Sequence, residues 1–228
     1  MKFTANGIDC SLESKSIDHI PFSIYAIQAG KPTFVEVAWQ ELYPVTSGML
    51  VEISGTGSAK LDGKAFLTGM VTLNSQIPDS TGQLGDTWLV ELLGSDTTGE
   101  TFAPGGGTMT MIPGETFCLS SFERQVPAAE TIDVTTFCGA ESLAGQASPG
   151  NIKIKGYIDY ESNAYNEWRN AVADGERRWL RIILPKNIGT ILMQITPSGL
   201  TETFEVNAAA AFEGEAVINQ EPLYIIGA

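Results

Sequence analysis

Histidine is nearly absent from this chain of 228 residues: His19 is the single one. A Ser-His-Asp or Cys-His scheme therefore has one position to use, and His19 lies in an N-terminal stretch without a defined partner. Cysteine is scarce too. Cys10, Cys118 and Cys138 are odd in number and none is spaced as CxxC, so neither a disulfide framework nor a zinc knuckle is indicated. Reduced, cytoplasmic assembly is the simpler expectation. Basic residues are few, 13 against 27 acidic ones, for a net charge of −14. A field of that sign repels phosphate backbones and argues against a DNA-gripping role. Long apolar runs are missing as well: no stretch approaches the length of a bilayer span, and Met1-Lys2-Phe3-Thr4-Ala5-Asn6 turns polar at once, unlike a signal peptide.

Motifs for phosphate or acid chemistry are equally thin. Gly105-Gly106-Gly107 lacks the Lys-Ser/Thr of a P-loop and the strand-to-helix setting of a dinucleotide site, and reads as a hinge. Carboxylates are too abundant for any pair to stand out as glycosidase-like. Asp159 and Glu161 precede a helix, where acidic groups favourably meet the positive end of its dipole. No catalytic residue, cofactor or metal site is expected, and the chain reads as a non-enzyme.

What the sequence does contain is punctuation. With 24 Gly and 11 Pro in a chain that is 43% hydrophobic, many short strands are favoured over long helices. Residues 1–105 read as a β-rich domain with strands such as 32–39, 49–53, 65–73 and 87–93, and turns at Asp62-Gly63, Thr81-Gly82 and Gly85-Asp86. Residues 40–43 are a candidate helical turn stopped by Pro44. Exposed aromatics of this half, Trp39, Tyr43 and Trp88, are candidates for recognising a carbohydrate or host surface, with core packing the plainer alternative. The run 98–107, three glycines after a proline, is the expected linker. A cut at residue 105 divides the charge evenly: 5 basic minus 12 acidic gives −7, and 8 minus 15 gives −7.

The second domain, 106–228, has clearer periodicity. Strands are expected at 108–113 and 116–122. In the extended segment 130–137, Ile132 and Val134 share one face, with Asp133 and Thr135 on the other. A loop over 139–150 follows, then a strand at 151–157 in which Ile152 and Ile154 alternate with Lys153 and Lys155, one face dry and one wet. Ser162 or Asn163 caps a helix along which Tyr165, Trp168 and Val172 recur at helical spacing, and Asp174-Gly175 ends it. Strands at 177–184, 190–196, 201–206 and 215–218 complete the pattern, the second ended by Pro197-Ser198-Gly199 and the third by an alanine-rich bend at 208–211. Seven of this half's eight basic residues fall between Lys153 and Lys186. Arg177, Arg178 and Arg181 therefore suggest a basic edge that meets an acidic edge of an identical neighbour.

The ordered set Glu130-Thr131-Ile132-Asp133-Val134-Thr135, Tyr157-Ile158-Asp159-Tyr160, the helix to Asp174-Gly175, Leu184-Pro185, Phe204-Glu205-Val206 and Gly227 resembles the bacteriophage major tail tube protein family. Residues 1–105 stand outside it. The resemblance implies a β-sandwich or barrel with one flanking α-helix, closed into a hexameric ring whose stacking builds a tube in the virion tail, assembled in the host cytoplasm. The implied partners are further copies of the chain, other tail proteins, and DNA that passes through the lumen on ejection without specific binding, with no membrane insertion. It further implies that Ile132, Asp133 and Val134 and the 139–150 loop contact neighbouring subunits. Strand alternation puts Thr201, Thr203 and Glu205 on one face, and the resemblance makes that face luminal. The alternative is a minor tail or baseplate component whose N-terminal β-domain binds host surface or carbohydrate.

Overall fold

Alternation of apolar and polar side chains underlies the strands of this protein. The structure, a computed structural model, describes residues 8–38, 44–78, 84–126, 131–136, 139–144, 149–158, 163–184, 188–205 and 209–226. It is mainly β with one helix among the described residues: a closed six-stranded barrel and a second, larger sheet. Contacts divide the chain differently from a cut at 105. One unit joins Glu13–Gly114 to Tyr224–Ile226, and the other joins Glu115–Leu223 to the strand that precedes the barrel, as far as Leu12.

That first strand, β1 (Ile8–Glu13), belongs to the larger sheet. The barrel follows with β2 (Ile20–Gln28), β3 (Thr33–Ala38), β4 (Leu50–Ser54), β5 (Lys64–Pro78), β6 (Leu84–Leu93) and β7 (Thr108–Met111). Their spatial order is β2-β3-β6-β5-β4-β7, and β7 pairs back onto β2, so closure removes the free edges. Phe22 and Ile24, Val35 and Val37, Val51 and Ile53, and Val90 and Leu92 are buried pairs two residues apart, pointing inward as the strand period requires.

Turn chemistry is seen at Asp62-Gly63. Gly63 has φ +70°, and the Asp62 carboxylate accepts from Thr56 N at 2.9 Å, Thr56 Oγ1 at 2.7 Å and Gly57 N at 2.9 Å. Gly85-Asp86, expected as a turn, lies within β6, where Gly85 is opposite Ile77 and the glycine simply continues the ladder. Residues 81–82 and 40–43, together with Trp39 and Tyr43, lie outside the described residues. The 98–107 run is no bare hinge, because it is tied back onto β2: Gly105 N donates to Tyr25 O at 2.7 Å and Ile24 N to Gly107 O at 3.1 Å. Its glycines supply the positive φ of an ordered connection, and the strand after it closes the barrel.

In the other unit, β8 (Gly114–Gln125), β9 (Thr131–Thr136), β10 (Gly139–Ala144) and β11 (Asn151–Tyr157) precede the helix α1 (Asn163–Asp174). After it come β12 (Arg178–Ile183), β13 (Gly189–Thr203), β14 (Ala211–Ile218) and β15 (Leu223–Ile226), of which Tyr224–Ile226 are grouped by contacts with the barrel. The sheet order is β12-β1-β8-β11-β14-β13-β15, and β12 also pairs with β13, so the order returns on itself. One strand makes both connections: β13 lies against β12 over 190–195 and against β14 over 195–203. The break expected at Pro197-Ser198-Gly199 is instead a shift in register between Pro197 and Gly199, which lets a strand absorb a proline without ending. β14 likewise begins at Ala211, so its residues 211–214, expected to lie before the strand, are paired.

The 139–150 segment is also not all loop. Residues 139–144 form β10, paired residue for residue with β9 as a two-stranded hairpin outside the two larger assemblies. Its composition, Gly-Ala-Glu-Ser-Leu-Ala, has little β-propensity, and only the neighbouring strand's ladder makes it a strand.

The helix is where its spacing placed it. Ala164, Trp168 and Ala171 recur at four and three residues and are buried, and Gly175, φ +67°, donates its N–H to Ala171 O at 3.1 Å to end the helix. Trp168 lies flat on Gly214 of β14, so close that a Cβ there would sit 2.6 Å from its ring. Tyr165 meets Phe212 edge-on at 5.8 Å, and the surrounding core includes Cys10, Leu12, Ile152, Ile154, Leu180, Ile182 and Met193.

Candidate assembly surface

The strands that hold Trp168 on one side present a charged face on the other. In β14, Phe212, Gly214, Ala216 and Ile218 point to the core, which leaves Glu213, Glu215 and Val217 outward. In β11 the dry residues are Ile152 and Ile154, and Lys153, Lys155 and Tyr157 face outward. Register then aligns these side chains in rows across the sheet. Glu123 of β8 is opposite Lys153, which is opposite Glu215. Ser121 is opposite Lys155, which is opposite Glu213, which is opposite Thr201. Tyr157, Ala211 and Thr203 form a third row.

The opposed charges are in contact. Lys153 Nζ is 2.5 Å from Glu215 Oε1, and Lys155 Nζ is 2.8 Å from Glu213 Oε2. Hydrogen bonding to Glu215 and its charge, assisted by Glu213 and Glu123, raise the Lys153 ammonium above its ordinary pKa. The hydrogen bond from Lys155 in turn holds the Glu213 carboxyl below the usual carboxylate range. Exposed pairs of this kind are screened by solvent and add little to stability, so their consequence is for what the face presents to solvent.

Of the residues singled out from sequence, only part adjoins this face. Thr201 and Thr203 are exposed and extend its rows, and Glu205 is exposed just beyond the strand. Glu202, between them, turns to the helix side and accepts a hydrogen bond from the Tyr165 hydroxyl. Ile132, Asp133 and Val134 stand opposite Leu143, Ser142 and Glu141 in the hairpin. Arg177 is exposed, whereas Arg178 is only 1% exposed and is engaged within its own chain. Its guanidinium contacts Asp174, lies 3.4 Å from Glu176, and donates to Arg177 O at 3.1 Å. Arg181 is half-buried, opposite Ser11 and Leu192, and burial lowers its pKa. Glu123, Ser121 and Glu213 were missed. The alternation of Phe212, Gly214 and Ala216 with Glu213 and Glu215 was the available signal, obscured by the alanines just before it.

Among the described residues no group of three or more His, Cys, Asp or Glu side chains is placed to hold a metal ion, and no helix is long and apolar enough to cross a membrane. His19 lies near the start of the barrel, where Nε2 donates to Ser14 O at 3.3 Å and is 3.4 Å from Glu13 Oε1. Cys10 is fully buried, and desolvation pushes its thiol far above its ordinary pKa, which leaves it without thiolate character.

No protein-family model matches the chain, and no curated protein matches it. Among solved structures it is similar to a chain in the tail of an empty GTA particle, from a helical refinement with C6 symmetry, at TM-score 0.37 and 21% identity, over 46% of this chain and 81% of that one. It is similar also to a chain in the virion of a native gene transfer agent particle, at TM-score 0.37 and 20% identity, over 46% of this chain and 83% of that one.

Proposed function

We propose that this chain is a non-enzymatic structural protein of a phage-type tail, a tube subunit that closes into hexameric rings and stacks them into a conduit for DNA. The observation that carries the reading is the β9–β10 hairpin. A two-stranded ladder alone is marginal in water, and its outer edges are unpaired among the described residues. A neighbouring subunit that covers the hairpin supplies what it lacks, and head-to-tail contacts of unlike surfaces close into rings. The ordered strand–helix–strand motifs of the sheet unit and the acidity of the chain support the same reading. Ile132, Asp133, Val134, Arg177 and Arg181 are the side chains assigned to subunit contacts, and Thr201, Thr203 and Glu205 to the lumen. Arg178 acts on the contact through the helix end that it holds. Electron microscopy of purified protein is expected to show rings or tubes with an axial hole. A protein that stays monomeric at high concentration and in the presence of its tail partners would refute this.

A minor tail component with a host-binding barrel is the second reading, favoured by how the barrel enters the chain. Ser14 N donates to Pro113 O at 2.9 Å, so the barrel strands leave and return at one point of the chain. Loss of adsorption with intact particles on removal of the barrel would select it.

A further inference from the structure

A lysine on the wall of a DNA conduit is a brake. Each ammonium that neutralises a phosphate adds sequence-independent affinity, and a ring repeats the contact at every subunit. The exposed sheet face carries two such groups side by side, Lys153 and Lys155, the only column of cations among the described residues of β8, β11, β14 and the second half of β13. The adjoining strand places a glutamate directly opposite each of them, at 2.5 Å and 2.8 Å. Glu123 stands opposite Lys153 on the other flank. Side chains directly opposite across a ladder have Cβ atoms roughly 5 Å apart, so each ammonium is held against the sheet by its partner. In the paired rows three glutamates and two lysines give 2 − 3 = −1, and each lysine is engaged by its partner. Stability does not account for the arrangement, because solvent and salt screen exposed ion pairs.

We propose that Glu213 and Glu215 mask Lys153 and Lys155 from the phosphates of duplex DNA, so that this face of β8, β11, β14 and the second half of β13 borders the conduit without adhering to its passenger. The inference rests on the tube reading above and deepens it by naming the face that meets DNA and the device that keeps it from binding. Thr201 and Ser121, neutral and exposed, complete the Lys155 row.

The test compares the unmodified protein, E213Q/E215Q, and E213Q/E215Q/K153Q/K155Q. Glutamine matches glutamate in shape and both positions face solvent, so each variant is expected to keep the parent's circular dichroism and melting curve. Assembled rings are sedimented with linear duplex DNA and, separately, with a covalently closed circle of the same sequence, which has no end to thread. Unmodified rings should retain neither. E213Q/E215Q, whose paired rows become 2 − 1 = +1, should retain the linear duplex and not the circle, with a log–log salt slope of about −2 for each subunit engaged. The quadruple variant should return to the parent's behaviour. No gain in E213Q/E215Q, a gain that survives loss of both lysines, or equal retention of the circle would each overturn the proposal. Absence of rings in every preparation instead refutes the tube reading. The masking is then read on unassembled protein, where the same gain and reversal are expected and their absence overturns it.

Discussion

Two ways of removing the barrel should have opposite outcomes. The fragment 106–228, which a cut in the Gly-rich run would produce, loses β1. That strand lies between β12 and β8, with Asp9 to Leu12 paired to Ile183 to Leu180, and it sends Cys10 and Leu12 into the core. Deleting a buried leucine costs about 2–5 kcal/mol. The lost thiol and four lost positions of ladder add about 1 kcal/mol each where backbone groups are left unpaired. The total, on the order of 7–10 kcal/mol, is comparable to the whole stability of a domain, about 5–15 kcal/mol. Joining Leu12 to Glu115 through a short Gly-Ser linker keeps β1, and the 2.9 Å bond between Ser14 and Pro113 puts the two chain ends within reach. Far-ultraviolet circular dichroism melts with size-exclusion chromatography should give one cooperative transition and a compact peak for the excised protein, and neither for the fragment. Cooperative melting of the fragment at the excised protein's temperature would refute the assignment of β1 to this unit.

Adding a methyl group at position 214 should lower stability by about 1–3 kcal/mol, since its Cβ would lie 2.6 Å from the Trp168 ring. The Gly214→Ala urea midpoint then falls at unchanged m-value, and a midpoint equal to the parent's would show that the helix is not seated there. Asp174→Asn leaves the Arg178 guanidinium, 1% exposed, with Glu176 as its remaining ion-pair partner. Because Asp174 is itself partly exposed, the expected cost is about 1–3 kcal/mol. That cost should shrink in an Arg178→Met background, and an equal loss in both backgrounds would rule out the pair. Burial pushes the Asp62 carboxyl upward, but the hydrogen bonds from Thr56 and Gly57 together outweigh it and hold its pKa below the ordinary value. Its stabilisation is therefore present above an unfolded pKa of about 3.9 and is lost as pH falls through the lower folded value. Asp62→Asn should melt lower at neutral pH and decline less steeply in acid, and melting curves that fall in parallel would refute the shift.

What could be read directly from the sequence was whatever neighbours along the chain decide. The helix at 163–174 follows from Tyr165, Trp168 and Val172 at spacings of three and four residues, and from a glycine that can adopt positive φ at its end. The turn at Asp62-Gly63 and the dry and wet faces of 151–157 are local in the same sense. Tertiary structure decided the rest because strand pairing is set between segments far apart. Ile8–Glu13 contains a plain alternation around Cys10 and Leu12, yet nothing in it says that the barrel is inserted after it. Pro197 reads as a stop until a register shift carries β13 past it, and the low β-propensity of 139–144 is overridden by the ladder with β9. The candidate surface divides the same way. Lys153 and Lys155 were legible as wet, whereas their neutralisation by Glu215 and Glu213 depends on a cross-strand register that no local pattern of side chains encodes.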